Sequence, residues 1–293
     1  MDASLELFVT LPTRVRICYQ TFGDPSDPAV VLIMGATCSM LDWREDLLPF
    51  FSPDGDRHFL VRFDHRDTGL STEFPVPGGY TLEHMAGDIE GLVDHLGLGP
   101  KGFHVVGTSM GGPLAYMLAT RRPQQVKTVT LMFTSPGVSE DFPAGRGVDM
   151  GTLPMVPGAG DQKENYIEYS TNLYKLLATE PPSEEERKEN EDLIKRIVDR
   201  DLKGGTLYSK GLNHRAALWG NWPGEETVRQ VKCPATVIQG GKDQFFGPEH
   251  GEALARWIEG AEYVLWDDVG HEMPKRIWGR MGEVFLRTWK RGE

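Results

Sequence analysis

The chain has 293 residues, enough for one large domain or a core with an insertion, and its 39% hydrophobic and 25% charged residues are ordinary for a globular protein. The formal net charge of −12 repels phosphate backbones and anionic headgroups, which argues against nucleic acid and membrane surfaces as partners. No run approaches the roughly 20 apolar residues of a membrane span. The opening MDASLELFVT has no basic n-region followed by an apolar stretch, and the three cysteines, Cys18, Cys38 and Cys233, are odd in number and far apart. No signal peptide is therefore expected, and a reduced, cytoplasmic setting is.

Along the chain, Leu5–Val9 and Val15–Thr21 read as an opening antiparallel pair. Ala29–Met34 (AVVLIM) is a continuous apolar run, as expected of a central strand buried on both faces. Helical sequence follows near Leu41–Phe51, and His58–Phe63 is the next strand. A helix from about Thr81 to Leu96 is predicted by Leu82, Met85, Ile89, Leu92, Val93 and Leu96 at helical spacing. Then come a strand at Phe103–Val106, a helix at Met110–Thr120 and a strand at Val126–Phe133.

From Ser135 to about Glu226 no buried strand is evident. Pro143–Gly160 is rich in Pro and Gly and reads as loop; helices are expected near Asn165–Ala178 and Ser183–Asp201. The charge run Glu184–Asp192 reads as a solvated helix face. The earlier rhythm returns with a strand at Pro234–Gln239, a helix at Pro248–Ile258, a strand at Glu262–Trp266 and a helix at Ile277–Trp289. Alternating strands and helices imply an α/β fold, a mostly parallel sheet with helices on both faces. The interruption reads as an insertion after the sixth strand, a candidate helical cap, which would divide the chain into core (1–135), cap (136–228) and core again (229–293).

Gly107-Thr108-Ser109-Met110-Gly111 matches the G-x-S-x-G nucleophile elbow, between an apolar strand and a helix opening with Gly111-Gly112-Pro113. The turn is so tight that small residues must flank the serine. A serine hydroxyl needs a base. Among eight histidines, His271 follows a strand near the end of the chain, the last place in the order serine, acid, histidine. His250 falls in a helix, His104 inside a strand, and His214 in the insertion. Asp243, in the loop after PATVIQ, is the favoured acid over Asp267 and Asp268, which are too close to His271 in sequence to reach around its ring. For the oxyanion hole the expected donors are the N–H groups of Met110 and of Ala36, in the loop after AVVLIM. Gly35 in that loop, Trp43 just beyond it, and Tyr169 and Trp219 of the insertion are candidates to touch substrate. There is no H-E-x-x-H, paired C-x-x-C or phosphate loop, so no metal site is expected.

These elements, spread over nearly the whole chain, resemble the α/β-hydrolase superfamily. Phe63-Asp64-His65-Arg66-Asp67-Thr68-Gly69-Leu70-Ser71 is similar to the D-x-R-G-x-G-x-S loop of its esterase-like branch, and Val231-Lys232-Cys233-Pro234 is also typical. Met34-Gly35 stands where the branch usually has His-Gly. With Asp64–Gly69 it most resembles the aclacinomycin methylesterase-type hydrolases. The resemblance implies a cap over the serine, a substrate pocket between cap and core, and hydrolysis without a cofactor; it does not fix the substrate, for which a small apolar or aromatic ester, such as a methyl ester of a polyketide-like metabolite, is the expectation. Lactone opening, C–C hydrolysis or non-hydrolytic polyketide chemistry on the same scaffold stay open, as does a non-catalytic small-molecule receptor.

Overall fold

The apolar run Ala29–Ile33 (β3) is buried along its whole length and lies in the middle of an eight-stranded sheet. The structure, a computed structural model, describes residues 4–139, 142–143, 145, 156–218 and 222–293. The other strands are β1 (Leu7–Thr10), β2 (Arg16–Phe22), β4 (Phe59–Phe63), β5 (Phe103–Thr108), β6 (Val126–Met132), β7 (Ala235–Gly240) and β8 (Glu262–Trp266). Their order is β1-β2-β4-β3-β5-β6-β7-β8, with β1 and β2 antiparallel and all strands from β4 onward parallel. The chain winds first one way from β3 and then the other, so β3 and β5 flank a reversal of strand order. Crevices at such a reversal, above the carboxyl ends of the strands, are where ligands bind in open α/β sheets.

Two-residue periodicity divides the strand side chains between two apolar layers. Val31, Ile33 and Val105 face α1 (Leu82–His95) and α2 (Gly111–Arg121). Val30, Leu32 and Val106 face a second cluster that includes Phe285 and Trp289 of the last helix. Predicted and observed strands agree closely. The Leu41–Phe51 helix is a correction: that segment forms two short 3-10 turns, Met40–Asp42 and Leu48–Phe51. Pro49 cannot donate a helical N–H, and Ser39 and Asp42 close a capping box around the first turn.

Between β6 and β7 the described residues hold four helices and no strand: α3 (Lys163–Leu177), α4 (Glu184–Gly204), α5 (Ser209–Leu218) and α6 (Gly224–Arg229). The Ser183 hydroxyl accepts from Glu186 N–H at 3.1 Å to start α4, and Gly205, at φ +80°, ends it. Helix α5 was not expected, because SKGLNHRAAL carries no apolar stripe. Val228 of α6 packs into the main core. Most of Pro143–Gly160 lies outside the described residues. After β7 come α7 (Pro248–Trp257) and α8 (Trp278–Lys290). No helix among the described residues is long and apolar enough to cross a membrane.

The charge run of α4 is not wholly solvated. Glu189 meets Arg44 at 2.8 Å and Lys275 at 2.5 Å, and Asn190 accepts from Arg44 at 2.9 Å. Further along, Arg200 reaches the fully buried Asp64 at 2.8 Å, and Asp201 accepts from Gly69 N–H at 2.7 Å. Asn213 of α5 donates to Asp67 at 3.0 Å. The Asp64–Ser71 loop is thus the seat on which the insertion rests.

Candidate active site

Ser109 follows β5 with φ +53°, a left-handed conformation that a side chain adopts only under constraint. The constraint is visible in its neighbours. A Cβ on Gly107 would stand 2.2 Å from Gly111 O, and one on Gly111 would stand 2.3 Å from Ile33 O. The turn is held by Ser109 N–H donating to Met132 O at 3.0 Å and by Thr134 Oγ1 donating to Ser109 O at 2.7 Å. The helix behind the serine, α2, directs its amino-terminal end and partial positive charge at this point.

Asp243 and His271 follow β7 and β8. His271 Nδ1 lies 2.9 Å from Asp243 Oδ2, and the carboxylate is otherwise occupied by the N–H groups of Phe245 and Phe246 at 2.8 and 2.9 Å and by Gln239. A carboxylate only accepts, so Nδ1 carries the proton and Nε2 presents its lone pair. The ring is packed against Phe133, Phe245 and Phe246, with centroids 5.2 to 6.4 Å away. The rival Asp268 is turned to Arg280 at 2.9 Å, and Asp267 is exposed. Ser109 Oγ makes no hydrogen bond among the described residues; the serine follows β5 and the histidine follows β8, both beyond the carboxyl ends of parallel strands of one sheet. Bonds between nucleophile and base are often long in the absence of substrate.

Ala36 and Met110 flank the serine from β3 and from the start of α2. Neither N–H has a hydrogen-bond partner among the described residues. Gly35 is buried, and a Cβ there would lie 3.1 Å from Ser109 Cβ, so glycine leaves room for the serine. The loop of Gly35 and Ala36 is pinned twice. His65 Nε2 lies 3.0 Å from Met34 O, and Thr37, at φ +64°, donates its N–H to His214 Nδ1 at 2.9 Å. Burial lowers the pKa of His65 to about 3 and of His214 to about 4, so both rings are neutral near neutral pH.

Tyr169 lines a small cavity with Thr37, Ser170, Leu207 and Lys210, beside the loop after β3. Trp43 is displaced from the expected site. It has no exposed surface and packs on Phe51 in the core under the sheet, because Arg62 holds its carbonyl at 2.5 Å. Trp219 lies outside the described residues. His104 is buried in the core against Thr128, as expected of a strand interior. Sequence reasoning missed the roles of His65 and His214. His65 stood in a motif noted only by resemblance, and His214 sits in a helix without periodic signal. Another unforeseen pair joins the insertion to the core, where Tyr174 donates to Asp42, a carboxyl pushed up to about 6 by burial.

Residues 28–274 match the family described as alpha/beta hydrolase fold. The chain belongs to that family. Among curated proteins it is 28% identical to rhodomycin D methylesterase DnrP of Streptomyces peucetius, across 91% of this chain and 94% of that protein. Among solved structures it superposes on the esterase RhEst1 from Rhodococcus sp. ECU1013 with a TM-score of 0.74 at 20% identity, covering 97% of this chain and 99% of that one. It superposes on a mutant of the meta-cleavage product hydrolase CumD from Pseudomonas fluorescens IP01 with a TM-score of 0.75 at 18% identity, covering 98% of each chain. At such identities the structural likeness speaks to fold alone.

Proposed function

We propose that the chain is a serine hydrolase of carboxylic esters, working through an acyl-enzyme. The observation that carries this reading is the Asp243–His271 bond, at 2.9 Å, at the same carboxyl edge of the sheet as a serine held in a strained elbow. His271 Nε2 takes the Ser109 proton as Oγ attacks the ester carbonyl. The N–H groups of Ala36 and Met110 receive the developing oxyanion. Collapse breaks the C–O bond, and the alcohol leaves with the proton from His271. Water, deprotonated by the same ring, then attacks the acyl-enzyme; its proton returns to Ser109 and the acid is released. Asp243 holds the ring in the required tautomer and stabilises the imidazolium.

The insertion acts as a cap over the serine, with Tyr169 among its residues that meet the core loop at Thr37. The similarity to DnrP favours a methyl ester on a bulky polyketide as substrate. The test is a fluorophosphonate probe with mass spectrometry. Labelling at Ser109 that is lost in His271→Ala supports the reading, and folded wild-type protein that fails to label refutes it. Labelling without turnover of any methyl ester would turn the search to lactones, C–C substrates or a receptor role.

A further inference from the structure

We infer that His214 is a positioning residue through which the seating of the cap sets the oxyanion hole; this rests on the serine-esterase reading above. The loop after β3 belongs to no strand or helix, so its peptide orientations depend on outside partners. Two such partners bracket Gly35 and Ala36: His65 on Met34 O and His214 on Thr37 N–H, at 3.0 and 2.9 Å. The two rings stand edge to face, 6.0 Å apart. His65 comes from the core loop after β4, whereas His214 comes from helix α5 of the cap.

His214 is set for this role in tautomer and place. Its Nε2–H donates to Arg66 O at 2.8 Å, which leaves the Nδ1 lone pair for Thr37. The ring is fully buried, and its neighbour Asn213 fixes the same helix to Asp67 and to Gly78 N–H at 3.0 and 2.7 Å. Helix α5 therefore cannot leave its seat without taking away the acceptor of Thr37 N–H. The adjacent Ala36 N–H is then free to swing from the position a tetrahedral oxyanion requires. Full transition-state stabilisation is tied in this way to a closed cap, under which water is scarce.

The experiment compares the full-length wild type with His214→Leu, His214→Asn and His214→Gln, using p-nitrophenyl butyrate turnover, fluorophosphonate labelling and thermal melting. The Asn side chain presents an oxygen near the Nδ1 position, the Gln side chain near the Nε2 position, and Leu presents none. In His214→Leu, kcat should fall about 10- to 100-fold with KM within about twofold, since a misplaced donor costs less than the 10²–10³ of a deleted one. His214→Asn should recover most of that loss. Equal kcat in wild type and His214→Leu would overturn the inference, as would equal impairment of the Asn and Leu variants at matched melting points. Should the Leu variant not fold, equal kcat in the Asn and Gln variants overturns it. A wild type that neither labels nor turns over ester fails the esterase reading itself; an active wild type with indifferent His214 variants fails only this inference.

Discussion

Ser109, Asp243 and His271 stand on strand ends whose neighbours are apolar and buried, whereas α4 and α5 reach the core through carboxylates, a guanidinium, an amide and an imidazole. The small apolar contacts under the insertion, such as Leu193 and Ile197 on Met40 and Leu41, supplement this polar seat. Apolar packing is non-directional and carries no titratable group. Polar docking is directional and sensitive to protons, so it can tie one geometry of the cap to one geometry of the oxyanion loop. The two regions should therefore break in different ways.

The largest effect is expected on the sheet side. In Asp243→Asn, the amide oxygen can still accept from Phe245 and Phe246, but its NH₂ faces His271 and imposes the wrong tautomer. By analogy with triads elsewhere, kcat should fall about 10³- to 10⁴-fold with the thermal midpoint little changed. A loss below tenfold on steady-state assay would remove Asp243 from the proposed triad.

On the cap side the sharpest break is Gly204→Ala. A Cβ there would stand 1.9 Å from Gly69 O, against backbone that cannot rotate away. The helix must lift, at a cost of about 1–3 kcal/mol, and the Asp201 and Arg200 contacts loosen with it. Hydrogen exchange should rise in α4 and α5 while β3 and β5 to β7 stay protected. Unchanged protection in α4 would mean that the seat tolerates this atom.

The same division governs what could be read in the sequence. Strands β3 to β8 follow from apolar runs, and the tight turn at Ser109 follows from three small flanking residues, because both signals are local. The seat is not local. Arg200 meets Asp64 across 136 residues and His214 meets Thr37 across 177, and no pattern in either segment announces the partner. Trp43 misled for a related reason: its closeness in sequence to the oxyanion loop said nothing of the Arg62 contact that draws its backbone under the sheet. Helix α5 was missed because its inward residues, Asn213 and His214, are polar.

Acid should loosen both regions, with the cap contributing a measurable share. His65, His104 and His214 have folded pKa values lowered by burial to about 3, 3 and 4, against about 6.5 when unfolded. Above pH 6.5 these groups are neutral in both states and stability is full. As pH falls from about 6.5 toward 4 the unfolded chain takes up protons that the native state refuses, and stability is lost. Asp42, raised to about 6 by burial, works in the opposite sense, holding a proton in the fold between pH 4 and 6. Urea denaturation across pH 4.5–7 should show this net proton uptake, and His214→Asn should reduce it by one proton. An unchanged slope would show that the His214 ring is already protonated in the native state.

The smallest effect sharpens the division within the polar seat itself. Glu189 joins Arg44 and Lys275 near the surface, a third of its side chain exposed, and the neighbouring Lys275 ammonium and Arg44 guanidinium lower its pKa. Screened pairs of this kind contribute about 0.2–1 kcal/mol. Glu189→Gln should therefore lower the melting point slightly at low salt, with the difference vanishing in 1 M NaCl, where the Debye length is about 3 Å. Asp64 is fully buried and Arg200 nearly so, so bulk ions do not reach that pair as they reach the partly exposed Glu189. If salt instead released α4 from the core in hydrogen exchange, the exposed pairs would be its principal hold. If only the Glu189 contribution disappears, the buried contacts at Asp64, Gly69 and Thr37 are what seat the insertion, and salt leaves the proposed oxyanion loop where it is.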